Sequence, residues 1–500
     1  MELLSNLALG FSHALTLTNL SYAFIGCLLG TLIGVLPGLG PLATISMLLP
    51  LTYVLPPDSA LIMLAGIYYG AQYGGSTTAI VVNLPGESSS VVTAIDGHQL
   101  ARQGRAGVAL STAAIGSFFA GCVATLAIAM FAPMLAEVAF EFGPKEYFAL
   151  MVLGLLLATV LSDGPLLESI AMVVLGAMIS LIGTDVNTGE QRFTFGISQL
   201  FDGIDFVPLA MGIFGFAEIV RNLHPNAEAR ALLASKITSL FPTREDFRKM
   251  AAPILRGSAL GTMLGVLPGG GAALASFASY SLEKKVSREP ETFGKGAIAG
   301  VAGPESANNA AAQTSFIPLL TLGLPSNAVM ALIIAAMMIH DIQPGPRVMT
   351  ADPGLFWGLI ASMWIGNLML VLLNLPLVGL WVKLLTIPYR FLYPAILMFC
   401  CIGIYSLKND TFEIYQAALF CIIGYAILQL TLPPAPLLMG LVLGPQVEEN
   451  FRRAMLLARG DATVFFTSPL SASLLGIAVV MLVFMALPAI RARRKEALRE

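Results

Sequence analysis

The chain has 500 residues, 56% of them hydrophobic and only 11% charged, with a net charge of −3 and a mean hydropathy of +0.81. A soluble domain carries about 25% charged residues, so a soluble fold is excluded, and no nucleic-acid partner is expected. A membrane β-barrel is built from alternating segments of about ten residues, whereas the apolar runs here are long and continuous; residues 3–57, 306–339 and 462–490 contain no Asp, Glu, Lys or Arg.

The expected class is an all-α polytopic integral membrane protein. At roughly 20 apolar residues per span, the chain holds about 11 to 14 transmembrane segments. The N-terminus lacks a basic region, a short apolar core and a small-residue cleavage site in sequence, so no cleaved signal peptide is expected. The five cysteines (Cys27, Cys122, Cys400, Cys401, Cys421) all fall in apolar runs and read as small core residues.

In chain order, residues 1–20 form a short amphipathic lead-in. A helix then runs toward Pro37, with Gly26, Gly30 and Gly34 spaced by four. Small residues at that spacing let helices approach closely in lipid, and packing is their expected role. The apolar segment Pro41 to Pro57 follows. Next comes a polar stretch in a charge-free setting, from Tyr68 through Gln72 to Ser76, Thr77 and Thr78, which leads through Ile80-Val81-Val82 into Asn83-Leu84-Pro85-Gly86-Glu87. A membrane segment this polar must satisfy its hydroxyls and a loosened backbone against protein or a wet cavity. Asp96 to Arg105, with His98, Arg102 and Arg105, reads as a loop. Residues 107–220 read as about four scaffold helices.

Residues 221–256 form the longest hydrophilic connection, in which Thr243-Arg244-Glu245-Asp246 resembles a capping box opening a short helix. The plan then repeats. Gly30-Thr31-Leu32-Ile33-Gly34-Val35-Leu36-Pro37-Gly38-Leu39-Gly40 returns 231 residues later as Gly261 to Gly271, with eight of eleven positions identical. The polar stretch returns as Pro304-Glu305-Ser306-Ala307-Asn308-Asn309 through Gln313, Thr314 and Ser315 to Leu324-Pro325-Ser326-Asn327, at an offset of 240 for the Leu-Pro pair. Two matched motif pairs in the same order divide the chain into a first repeat, 1–220, with motif segments 26–98 and scaffold helices 107–220; the connector 221–256; a second repeat, 257–490, with motif segments 257–345 and scaffold helices 354–490; and a basic tail, 491–500. Inverted repeats with broken helices or re-entrant hairpins are expected. Positive charge in 221–256 and in Arg491-Ala492-Arg493-Arg494-Lys495 places both in the cytoplasm.

The chemistry of these motifs is that of binding rather than catalysis. The four histidines (His13, His98, His224, His340) are scattered without metal spacing, no Walker A pattern is present, and no nucleophile has a partner base. No enzyme activity, resident metal or organic cofactor is expected. Broken helices free backbone N–H groups, which attract carboxylates, and carbonyls, which can hold Na⁺. The candidate substrate-binding residues are Pro37, Gly38, Gly40, Ser76, Thr77, Thr78, Asn83, Pro85, Gly86, Gly269, Gly271, Asn308, Asn309, Thr314, Ser315, Pro325, Ser326 and Asn327. No Arg or Lys lies within either polar stretch, so an anionic substrate needs co-transported cations. Glu305 and Glu87, the acids nearest the motifs, are the candidates for Na⁺ or proton coupling. A permease for another solute, or an anion channel, is the alternative on these residues.

The duplicated Gly-x-Leu-Pro-Gly-x-Gly, Tyr-Gly-Gly-Ser-Thr-Thr at 73–78, Asn-Leu-Pro-Gly-Glu at 83–87, Ala-Ile-Asp-Gly-His at 94–98 and Pro-Glu-Ser-Ala-Asn-Asn-Ala at 304–310 resemble the large membrane subunit of the tripartite tricarboxylate transporters, the TctA family. Family members often carry Ala where this chain has Ser306, and small residues where it reads Gln313-Thr314-Ser315-Phe316. The resemblance implies a bacterial inner-membrane importer of citrate-like di- and tricarboxylates driven by a Na⁺ or proton gradient. It also implies a small four-helix TctB-like membrane subunit and a periplasmic TctC-like solute-binding protein as partners. By analogy with other two-repeat carriers, an elevator-type motion of the motif-bearing parts against the scaffold is expected.

Overall fold

The computed structural model describes residues 2–36, 39–83, 87–160, 162, 164–185, 188–223, 241–267, 271–384 and 389–497. The chain is almost wholly helical in these residues. The helices are α1 Glu2–Ala14, α2 Leu17–Gly34, α3 Pro41–Thr52, α4 Pro57–Val82, α5 Val91–Leu100, α6 Ala106–Ala139, α7 Pro144–Val160, α8 Leu166–Ser180, α9 Phe206–Ala210, α10 Ala217–Asn222, α11 Arg244–Gly265 and α12 Gly271–Val286. They continue as α13 Ala299–Thr314, α14 Phe316–Leu322, α15 Ala328–Ile339, α16 Arg347–Ala351, α17 Pro353–Asn374, α18 Val378–Leu384, α19 Tyr389–Lys408, α20 Phe412–Gln429, α21 Pro434–Leu457, α22 Val464–Thr467 and α23 Pro469–Ala497. Four stretches among the described residues are long and apolar enough to cross a membrane: Leu17–Gly34, Ser88–Ala139, Pro353–Asn374 and Phe412–Gln429. Shorter apolar helices such as Pro41–Thr52 and Ala328–Ile339 supply the broken segments. This is an all-α polytopic membrane protein.

The chain forms two compact units, Met1–Ala136 with Phe206–Ala426, and Glu137–Asp205 with Ile427–Glu500. The first unit carries both motif pairs. Its frame is a helix pair used twice. Gly26, Gly30 and Gly34 of α2 face the backbone of Met63, Ile67 and Ala71 on α4, and a methyl group on Gly30 would lie 2.4 Å from the Ile67 carbonyl oxygen. Gly257, Gly261 and Gly265 of α11 face Gly303, Ala307 and Ala311 on α13 in the same way, with 2.3 Å at Gly261. The six glycines therefore serve packing, and the correspondence of α2·α4 with α11·α13 is a structural repeat.

The capping box at the start of α11 is present: Thr243 Oγ1 accepts from Asp246 N at 3.2 Å, and Asp246 Oδ2 accepts from Thr243 N at 3.0 Å. The helix it opens is not short, since it runs 22 residues to Gly265 and becomes the glycine-ridged motif helix. The expected loop at Asp96–Arg105 is helical. Residues 91–100 form α5, and a π-helical turn over Ala101–Arg105, with Gly104 at φ 78°, leads into α6. Asp96 does not face water there. It is fully buried, accepts from the backbone N–H groups of Gly294, Gly296 and Ala297 at 2.8, 2.8 and 2.9 Å, and takes a fourth bond from the Tyr280 hydroxyl at 2.9 Å.

In the second unit, α21 packs on α8, where Gly176 faces the Leu437 carbonyl and Gly440 that of Val173. Phe148, Phe451 and Phe465 form an aromatic cluster with centroids 4.8–5.6 Å apart. A two-residue antiparallel pair, Gly183–Thr184 with Gln191–Arg192, is tied to α21 by ion pairs of Arg192 with Glu448 and of Arg452 with Asp185.

Candidate solute-binding site

Each of the four motif loops lies between a helix end and a helix start. After α2 the chain turns and α3 begins at Pro41. After α4, Asn83 adopts a left-handed conformation (φ 57°), and a short 3-10 turn at Ser88–Ser90 leads into α5. After α11, α12 begins at Gly271. After α14, Gly323 takes φ 69°, and α15 begins at Ala328. The breaks come after the polar stretches rather than inside them. Residues 68–78 and 304–314 lie in continuous helix, and their backbone is not loosened. Many hydroxyls bond back one turn, Thr77 to Tyr73 O at 3.1 Å and Thr314 to Ala310 O at 3.0 Å.

Pro37, Gly38, Pro85, Gly86 and Gly269 lie outside the described residues, as does the connector over 224–240. The other candidates fall into groups. Asn327 caps α15 through Oδ1, which accepts from Met330 N at 3.0 Å, and its Nδ2 donates to Ser315 Oγ at 3.1 Å. The Ser326 hydroxyl reaches Ser315 O at 3.3 Å, Pro325 is buried beside it, and Gly271 lies against the Asn327 side chain. The first turn of α12 thus adjoins the N-terminus of α15. Ser276 of α12 donates to Ser89 O at 2.7 Å, bringing in the turn that opens α5, and Asn308 Nδ2 faces Glu87 Oε1 at 3.5 Å. The starts of α5, α12 and α15 are therefore neighbours around Glu87, Asn308 and Asn327. Helix N-termini present N–H groups and the positive end of the dipole, which attract anions; here the Glu87 side chain itself caps the turn that opens α5, and Asn327 caps α15. Gly40 precedes α3 and accepts from Thr44, and Asn83 is exposed.

A second group lies deeper. Glu305 has 1% of its surface exposed. Its Oε1 accepts from the Thr93 hydroxyl and its Oε2 from Ser76 Oγ at 2.8 Å. Asn309 Nδ2 donates to Ser117 Oγ at 2.6 Å and to Glu305 O at 3.1 Å. Thr78 and Thr314 are fully buried; Thr78 bonds to Val35 O at 2.7 Å and so ties α4 to the end of α2, while Thr314 packs against Gly265.

Sequence reasoning missed Thr93, Ser117 and Asn374. Thr93 lies one turn before the residues taken for a loop, and Ser117 lies in the block read as scaffold. In fact α6 up to Ala136 belongs to the unit that holds the motifs, where Gln313 accepts a hydrogen bond from Thr125. A signal was available in the polar triplet Ser111, Thr112 and Ser117 within an otherwise apolar run.

The family model of the tripartite tricarboxylate transporter TctA family matches residues 20–439. The chain belongs to that family. It is therefore a multi-pass membrane component of a transport system, in a family whose systems are tripartite, with TctB and TctC components. It is 59% identical over 494 residues, 99% of this chain and 98% of the relative, to the "Uncharacterized 52.8 kDa protein in TAR-I ttuC' 3'region" of Agrobacterium vitis. It is also 62% identical over 236 residues, 47% of this chain and 98% of the relative, to the "Uncharacterized protein in TAR-II ttuC' 3'region" of the same organism. No solved structure matches the chain.

Proposed function

We propose that the chain is the large transport subunit of an ion-gradient-driven, binding-protein-dependent importer of di- and tricarboxylates of the citrate type. The observation that carries this reading is the meeting of the starts of α5, α12 and α15 around Glu87, Asn308 and Asn327. Three helix N-termini and amide donors suit a carboxylate. Residues 59–86 and 306–339 contain no Lys or Arg, so the substrate's charge is balanced by cations that travel with it. Glu305, a carboxylate in a membrane interior, is the residue that senses them.

A TctC-like periplasmic protein delivers the solute and a small TctB-like subunit completes the complex in a bacterial inner membrane, with the C-terminus cytoplasmic. The two repeats are inverted, and the compact unit bearing both motif pairs carries the solute across as one body, the elevator form of alternating access. Its test is uptake of radiolabelled citrate against other carboxylates by the reconstituted complex, with Na⁺ and proton gradients imposed independently. Dicarboxylates and tricarboxylates are expected to compete with citrate; uptake indifferent to every carboxylate contradicts the reading.

A further inference from the structure

The surroundings of Glu305 raise a charge problem that the hydroxyl bonds do not solve. Its two oxygens accept from Thr93 and Ser76, and the ion pairs found among the described residues lie elsewhere. A carboxylate taken out of water without a counter-charge is costly, by several kcal/mol even after relaxation.

Against this carboxylate lies a cavity of about 20 Å³. Its polar wall consists of Tyr73, Ser76, Thr77, Ser117, Glu305 and Asn374, and Leu110, Ala113, Ala114, Leu375 and Val378 make up its apolar part. One water-sized particle needs about 10–15 Å³ of such space, so the cavity admits a single water or small ion and excludes a dicarboxylate. Every one of the six polar side chains brings an oxygen. Two of these are buried without a hydrogen-bond partner: Tyr73 Oη, and Oδ1 of Asn374, whose Nδ2 is committed to Leu370 O at 2.9 Å. Buried oxygens are normally satisfied; both orphans have lone pairs to offer a cation, and a cation supplies the counter-charge that Glu305 lacks and a water cannot. All-oxygen coordination selects a hard cation, and one carboxylate neutralises one positive charge.

We propose that this cavity is a sodium site, in which oxygens of Tyr73, Ser76, Thr77, Ser117, Glu305 and Asn374 hold one Na⁺. The inference rests on the ion-driven reading above and names its coupling ion. The six residues come from α4 and α6 of the first repeat and α13 and α17 of the second, so the bound ion joins the two repeats.

The test uses the purified full-length chain in detergent without substrate. It measures binding of radioactive sodium and the melting temperature in NaCl against equimolar KCl. Saturable binding of one Na⁺ per chain and a rise in melting temperature specific to sodium are expected. Asn374→Ala and Glu305→Gln should each weaken sodium binding at least tenfold. Tyr73→Phe removes only an oxygen that makes no bond; it should weaken binding several-fold while leaving the sodium-free melting temperature unchanged, and so remains decisive where other variants fail to fold. Equal stabilisation by Na⁺ and K⁺, or unchanged affinity in Tyr73→Phe, would overturn the site. The transport reading is separated by uptake in the reconstituted complex. Uptake driven by a proton gradient alone, with no sodium binding, overturns the site and leaves carboxylate import standing. Sodium binding with no carboxylate uptake under any gradient supports the site and contradicts import.

Discussion

The Thr93 hydroxyl donates a hydrogen bond to the Glu305 carboxylate, joining residues 212 positions apart, one from each repeat. Ser76, from α4, reaches the other oxygen of the same group. This buried carboxylate cluster is thus assembled from both halves of the chain, and neither half can build it alone.

Replacing Thr93 by Val keeps the shape and removes the donor. Leaving a buried carboxylate oxygen short of a partner costs about 1–3 kcal/mol. Thr93→Val should lower the melting temperature of the detergent-solubilised protein, and the double variant Thr93→Val/Glu305→Gln should recover part of that loss because the uncompensated charge is gone. Melting curves of the two variants check this, and an equal loss in both would count against it.

The glycine ridges make a graded prediction. Gly30→Ala and Gly261→Ala place a methyl group 2.4 and 2.3 Å from a carbonyl oxygen of the facing helix, so the pairs α2·α4 and α11·α13 must separate. Overpacking of this kind costs about 1–3 kcal/mol or more. Gly379→Ala, which meets nothing within 4 Å, should be neutral. Expression and thermal stability of the three variants, compared side by side, measure the gradient.

Asp96 fastens α5 of the first repeat to the segment that leads into α13. It gathers three backbone N–H groups and one phenol hydroxyl onto a fully buried carboxylate. Asp96→Ala orphans all three amides and should be among the most destabilising single changes in the chain. Asp96→Asn retains one acceptor oxygen and should lose less. Hydrogen exchange at Gly294, Gly296 and Ala297 should rise sharply in the alanine variant if the clasp is real.

At the hydrophilic start of α11, burial pushes the Asp246 carboxyl up, but the Arg105 guanidinium and the Thr243 hydroxyl and amide together hold it below the usual carboxylate range. A carboxylate whose folded value is depressed stabilises the fold above its unfolded value, about pH 4, and loses that contribution as pH falls through the folded one. Asp246→Asn should therefore destabilise at neutral pH, and its deficit should shrink toward acid. Melting temperatures of the two proteins between about pH 7 and pH 3 check the sign.

The repeat and its glycine ridges were readable from spacing, because close helix packing demands small residues at fixed intervals whatever the partner. The helix breaks were readable from Pro and Gly, although the intact helix through the polar stretches before them was not. Ser76, Thr77, Thr78, Ser306, Asn309, Thr314 and Ser315 bond back to their own helix, so their polarity marks burial rather than a broken backbone. Asp96 was misread because a carboxylate beside His98, Arg102 and Arg105 has the composition of a loop, and its amide partners stand about 200 positions away in sequence. Asn374 was invisible for the same reason, and Ser117 was marked only by the polar triplet it forms with Ser111 and Thr112. Their importance arises from which helices meet, and α6 and α17 carry no motif that announces the meeting.

The central claim is that this chain couples carboxylate import to an ion gradient. The most direct measurement is uptake of radiolabelled citrate into proteoliposomes holding the chain with its small membrane subunit, with the binding protein added outside and no ATP present. An inward sodium gradient is predicted to drive accumulation above the external concentration, dependent on the binding protein and lost in Glu305→Gln. Uptake that only equilibrates, or that proceeds unchanged without any ion gradient, would contradict the account.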